Sequence, residues 1–145
     1  MGVRTRTRAE NRKEAKKTVA FARLNNCPTS PRKMRLIADL IRGQRVELAL
    51  HILKNNAKQP SERIRKLVLS AIANWQAKNE GKRIEDSDLY IKEIFVDGGR
   101  QLKRLQTAPQ GRAHRIRKRS NHVTVLLDSR NKPEVEEVSE KENKE

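Results

Sequence analysis

The sequence predicts an α+β fold: three helices packed on a small three-stranded antiparallel sheet, with a long extended β-hairpin. Three observations carry this prediction. Apolar residues recur at helical spacing in successive segments between residues 31 and 78. Three short runs rich in Val, Ile, Phe, Tyr and Thr have the composition of strands. Between the last two runs lies "GGRQLKRLQTAPQGRAHRIRKRS", Gly98 to Ser120, with eight cationic side chains and neither an acidic nor an aromatic one.

Taken in order, residues 1–17 form a basic arm, seven Lys and Arg against two Glu, expected to be disordered until bound. The arm lacks the apolar core of a signal peptide. "TVAFARL" (Thr18–Leu24) is the first strand. The loop "NNCPTSP" leads into a helix that Ser30 can cap, with Pro31 at its first position, where a missing N–H costs nothing. In "RKMRLIADLIRG" Met34, Ile37, Ala38 and Ile41 share a face, and Gly43 stops the helix. "VELALHILKNN" repeats the pattern with Val46, Ala49, Leu50 and Leu53. The third helix, from about residue 59 to 78, carries Ile64, Leu67, Val68, Ala71, Ile72 and Trp75 on one stripe. Trp75 lies in line with that stripe and is assigned to the core rather than to base stacking.

After the polar connection "NEGKRIEDSD" come "LYIKEIFVD" and "NHVTVLLD", two strands that should pair antiparallel. The expected core is Met34, Ile37, Ile41, Leu50, Leu67, Val68, Ile72, Trp75, Ile91, Phe95, Val123 and Val125. Residues 18–130 thus make one α+β domain that includes the extended hairpin at 97–122. Residues 131–145, three Lys against six Glu, are an acidic tail expected to be disordered.

A formal net charge of +16 on 145 residues attracts polyanions, and nucleic acid is the leading partner. A membrane surface is the second partner such a charge suits, but no apolar run approaches the ~18 residues that cross a bilayer, and no membrane partner is expected. If both arms of the basic segment stay paired, the hairpin extends on the order of 40 Å, well beyond a body whose radius of gyration is about 13 Å. Pro109 and Gly111 supply its turn. A two-stranded ribbon with nothing beneath it is marginal in water. Its stabilisation must come from a polyanion that neutralises Arg100, Lys103, Arg104, Arg112, Arg115, Arg117, Lys118 and Arg119. Arg32, Lys33 and Arg35 add cations at a helix N-terminus, whose N–H groups also face an anion. Arg4, Arg6, Arg8 and Arg12 of the arm could thread a groove or stay in solvent.

Other chemistry is missing. His51, His114 and His122 lack metal-ligand spacing, and Cys27 has no second thiolate. That lone Cys27, read as a small apolar residue, fits a reducing cytoplasm. Glu85, Asp86 and Asp88 suit a solvated turn, not a calcium loop. No phosphate-cradling glycine pattern and no nucleophile–base pair stands out. No catalytic residue, metal, cofactor or small-molecule substrate is expected. Two binding readings remain on physical grounds: a structural RNA-binding component, and an architectural protein that bends DNA with a proline-tipped basic ribbon.

The segments "SPRKMRLIADLIRG", "VLSAIAN", "IFVDGG", "LKR" and "GRAHRIRKRSNHVTVLL" follow one another with family-like spacing. From about Thr18 to Arg130 the chain closely resembles the universal large-subunit ribosomal protein family conventionally numbered twenty-two. The resemblance implies a domain on the outer surface of the large subunit and a hairpin running inward through ribosomal RNA to line the exit tunnel. It implies as partners large-subunit ribosomal RNA, neighbouring large-subunit proteins and the nascent polypeptide, and a part in early subunit assembly. By position, Lys103, Arg104, Gly111, Arg112, Arg115, Lys118 and Arg119 would contact RNA, and Thr107, Ala108, Pro109 and Gln110 would face the tunnel. The family tip often has Pro-Arg-Ala before a basic residue and Gly-Arg. Here "TAPQGR" keeps a single cation, Arg112, and carries its proline two positions later.

Overall fold

The computed structural model describes residues 3–79 and 87–130. Its sheet is built around β3 (Ala113–Ser129), which lies between β1 (Ala20–Cys27) and β2 (Leu89–Thr107), antiparallel to both. β3 alternates strictly from Asn121 onward: Asn121, Val123, Val125 and Leu127 are buried, and their neighbours are partly exposed. β1 follows suit, with Ala20 and Ala22 inward beside Leu127 and Val125.

The helices cover the inner face of this sheet. α2 (Pro31–Ile41) buries Met34, Ile37, Ala38 and Ile41, and α3 (Val46–Asn55) buries Val46, Ala49 and Leu53. α4 (Gln59–Lys78) buries the whole expected stripe, Trp75 included, and packs across β1 and β3 while α2 packs on β2. Leu50 is partly buried at the margin of this core. Gly43, at φ +75°, turns the chain out of α2, and its N–H donates to the Ile91 carbonyl at 3.0 Å. The Ile91 N–H returns the contact to the Gln44 carbonyl at 3.0 Å, so the α2–α3 turn seals the outer edge of β2. Ser61 joins α3 to α4 by donating its hydroxyl to the Leu53 carbonyl at 2.8 Å.

Four details depart from the sequence-based expectations. First, the arm is not irregular: α1 (Val3–Thr18) makes a fourth helix. Its Arg, Lys, Ala and Glu are good helix formers, and Arg6 pairs with Glu10 one turn on at 3.3 Å. Its described side chains are exposed, so no apolar periodicity announced it. Second, Phe95 is 48% exposed, while Ile94 and Val96 are buried. The pairing steps from Ile91 opposite Leu127 to Glu93 opposite Leu126, so Lys92 is an extra residue that reverses the phase of β2. Lys92 turns outward to Asp128 at 2.9 Å, and that hydrogen bond and charge raise its ammonium pKa above the ordinary lysine range. Third, Ser30 occupies the N-cap of α2 but makes no side-chain cap; only its carbonyl accepts, from Lys33 and Met34. Fourth, the first strand starts at Ala20 and runs on to Cys27. The acidic tail, Glu85 and Asp86 lie outside the described residues.

The phase reversal sets a test. Ile94→Ala is expected to lower unfolding free energy by about 2–5 kcal/mol, and Phe95→Ala by less than about 1 kcal/mol. Urea denaturation of the two variants measures both, and the opposite ranking would contradict the bulge.

Candidate nucleic-acid interface

The hairpin grows out of the sheet without a break, because β2 and β3 continue past the core as its two arms. Cross-strand pairing runs from Gln101 opposite Arg119 to Thr107 opposite Ala113 with no interruption. At the root a second bulge intervenes on β2, between Gly98 and Gln101, while β3 stays regular. β1 also bulges at this level, between Leu24 and Cys27, with Asn26 at φ 51°.

Several side chains fasten this root. Arg35 of α2 donates through Nε and an η nitrogen to the Val96 carbonyl, at 3.2 and 3.0 Å. Buried Asn121 donates its amide to the Thr29 carbonyl at 2.6 Å, tying β3 to the loop before α2. His122 accepts the Asn26 N–H on Nδ1 at 3.1 Å, and Ser120 donates its hydroxyl to the Arg100 carbonyl. Arg63 of α4 reaches the same loop, donating to Cys27 Sγ at 3.0 Å and Thr29 Oγ1 at 3.1 Å. Cys27, expected as a small, half-buried apolar residue, is fully buried.

Beyond the root the ribbon has no core. Because β3 keeps its phase, Arg115, Arg117 and Arg119 continue the helix-covered face of the sheet, joined there by Lys103 opposite Arg117. Arg104 and Lys118 point to the other face with Leu102 and Ile116. Cations therefore occupy both sides of the ribbon, and Lys103 faces Arg117 as a directly opposed like-charged pair, which is destabilising alone. None of the eight hairpin cations forms an ion pair among the described residues. Leu102, Leu105 and Ile116 are 49%, 73% and 36% exposed, so apolar burial contributes little.

The tip is a tight three-residue turn. Ala108 N–H donates to the Arg112 carbonyl at 2.9 Å, closing a loop of Pro109, Gln110 and Gly111. Gly111 takes φ +69°, as expected, and Gln110 joins it at φ 63°, a left-handed conformation that few non-glycine residues adopt. Thr107, Pro109 and Gln110 are exposed and uncharged.

The structure brings four of the eleven expected cations together at the root. A concavity at the root is bordered by Arg100, Arg117, Lys118 and Arg119 and by Ser30, the residue that opens α2. Arg32 and Lys33 are exposed in the first turn of that helix. Arg35, at the start of the next turn, spends part of its guanidinium on the Val96 carbonyl and so also braces the hairpin. That second duty was invisible in sequence, since the partners lie 61 residues apart.

A fold with a cation-covered ribbon can be compared with known proteins. The family model described as Ribosomal protein L22p/L17e matches residues 22–128, which contain α2 to α4 and the entire hairpin. The chain belongs to the L22p/L17e family of ribosomal proteins. The large ribosomal subunit protein uL22 of Christiangramia forsetii is 70% identical over 131 residues, covering 90% of this chain and 97% of the relative. The uL22 proteins of Flavobacterium psychrophilum and Bacteroides fragilis are 66% and 57% identical, covering 90% and 92% of this chain and 96% and 98% of their own. Within this L22-family chain, only α1 and the first residues of β1 precede the matched span among the described elements.

The root of the L22-type hairpin makes its own prediction. A Cβ at Gly99 would stand 2.8 Å from Ser120 Oγ and 3.2 Å from the Ser120 carbonyl carbon, whereas one at Gly98 meets nothing within 4 Å. Gly99→Ala is expected to destabilise the chain by about 1–3 kcal/mol, and Gly98→Ala to leave it within about 0.5 kcal/mol. Thermal unfolding of the two variants decides; equal stabilities would contradict the close approach.

Proposed function

We infer that the hairpin is the element by which this structural constituent of the large ribosomal subunit grips ribosomal RNA. The observation that carries the inference is a ribbon with eight cations on both faces and no carboxylate partner among the described residues. Phosphates supply the missing counter-charge, and arginine's forked donors suit them. Arg100, Lys103, Arg104, Arg112, Arg115, Arg117, Lys118 and Arg119 contact RNA along the arms; Arg32, Lys33 and the free side of Arg35 contact it beside the root. RNA on both faces accounts for cations on both faces. The work is structural and not catalytic, carried out in the cytoplasm within the ribosome, and supports subunit assembly by joining RNA segments along one strand pair.

The uncharged tip, Thr107 to Gln110, lines the polypeptide exit tunnel and meets the nascent chain there. Support for this comes from the family resemblance and from a ribbon long enough to cross a layer of RNA, roughly 35 Å from Val96 to the tip. Neighbouring large-subunit proteins are the remaining partners of the body.

Two measurements test the reading. Converting Arg112, Arg115 and Arg119 together to Gln should lower the salt dependence of RNA binding, log K against log salt, by roughly 2–3. An unchanged slope would contradict phosphate contacts at these residues. In lysate, the chain is expected to stay with the large subunit through a high-salt wash; co-sedimentation with bulk DNA would instead support the DNA-bending reading.

A further inference from the structure

We propose that α1 is a second RNA-binding element, acting through a stripe of three arginines that the family-matched span does not contain. The proposal rests on the RNA-binding reading of the chain and adds a separate site to it. Residues 3–18 precede the matched region, 22–128.

The case lies in how charge is arranged around the helix. At 3.6 residues per turn, Arg4, Arg8 and Arg12 fall within a sector of about 80°, stacked about 6 Å apart along the axis. Glu10 lies about 160° from Arg8, and Glu14 about 120° from it. Both carboxylates of the helix therefore sit away from the stripe. Glu10 is moreover engaged by Arg6 at 3.3 Å, so the one ion pair described in α1 is on that far side. Arg4, Arg8 and Arg12 are exposed and form no ion pair among the described residues.

Like charges four residues apart destabilise a helix, and α1, with 16 residues, is only a little longer than the ~12–15 below which an isolated helix is marginal in water. α1 has no apolar stripe to provide packing: among its described side chains Val3 is the only large apolar one, and it is 80% exposed. A linear polyanion laid along the arginine stripe relieves the repulsion and holds the helix. A lipid surface fits poorly, because an interfacial helix needs an apolar face to bury. RNA phosphates fit, and the hairpin already directs the chain to RNA.

The test uses the full chain and large-subunit RNA transcribed in vitro, with affinity measured across a salt series. Arg4→Gln/Arg8→Gln removes two cations from the stripe; Arg6→Gln/Lys13→Gln removes two from elsewhere on the helix. Glutamine keeps helix propensity close to that of arginine. The stripe double is expected to lower the salt slope by roughly 1.5, and the other double by less than half as much. Equal effects of the two doubles would overturn the proposal. So would no effect of either while the Arg112, Arg115 and Arg119 triple still lowers the slope, an outcome that leaves the hairpin reading intact. Stripe-dependent binding to vesicles of anionic lipid, with the RNA slope unchanged, would likewise overturn it.

Discussion

The architecture depends on β3 holding one register over 17 residues, from the buried core to the tip of the hairpin. Side chains on a strand alternate with a period of two, so a single extra residue in β3 would exchange its two faces from that point outward. Val123, Val125 and Leu127 would still pack, but Arg115, Arg117 and Arg119 would swap sides with Ile116 and Lys118 and so join Arg104 on the opposite face of the ribbon. The fold keeps irregularity off this strand. Each of its three register shifts places the extra residue on a flanking strand, one on β1 and two on β2. The flanking strands absorb twist and curvature, and the central one transmits direction.

The two halves of β3 differ in what stabilises them. In the body, its inward residues are buried under α4 and its ladder is flanked on both sides. Past Ser120 the ladder is two-stranded, the side chains are solvated, and opposed cations repel. The root fasteners, Arg35 on Val96 and Asn121 on Thr29, fix where the ribbon leaves the body and nothing further along. Backbone pairing sets the shape of the arm; on the proposed reading, RNA supplies the rest of its stability. Gln110, in the left-handed region at the tip, adds a further cost of about 1 kcal/mol.

Much of this was legible in the sequence for identifiable reasons. The stripe from Ile64 to Trp75 is long and periodic, so α4 could be bounded closely, from residue 59 to 78. The hairpin showed itself by charge, since no acidic residue interrupts the chain between Asp97 and Asp128. Phe95 was misplaced because alternation from Ile91 assumes an unbroken strand, and nothing local to Lys92 marks it as a bulge. α1 was hidden because helix detection looks for apolar periodicity, and its periodicity is one of charge. Ser30 has the chemistry of a cap, yet its side chain is left out of the first turn and only its carbonyl serves. The doubled role of Arg35 depends on a tertiary contact and could not be read from spacing.

The central claim is that β3 is one strand whose outer half is stabilised by RNA. Amide hydrogen exchange along β3, in the free chain at low salt and again bound to large-subunit RNA, tests this most directly. The account predicts slow exchange from Val123 to Leu127 in both states, with Leu102 to Thr107 and Ala113 to Lys118 fast when free and slow when bound. Equal protection of the hairpin in both states would contradict it.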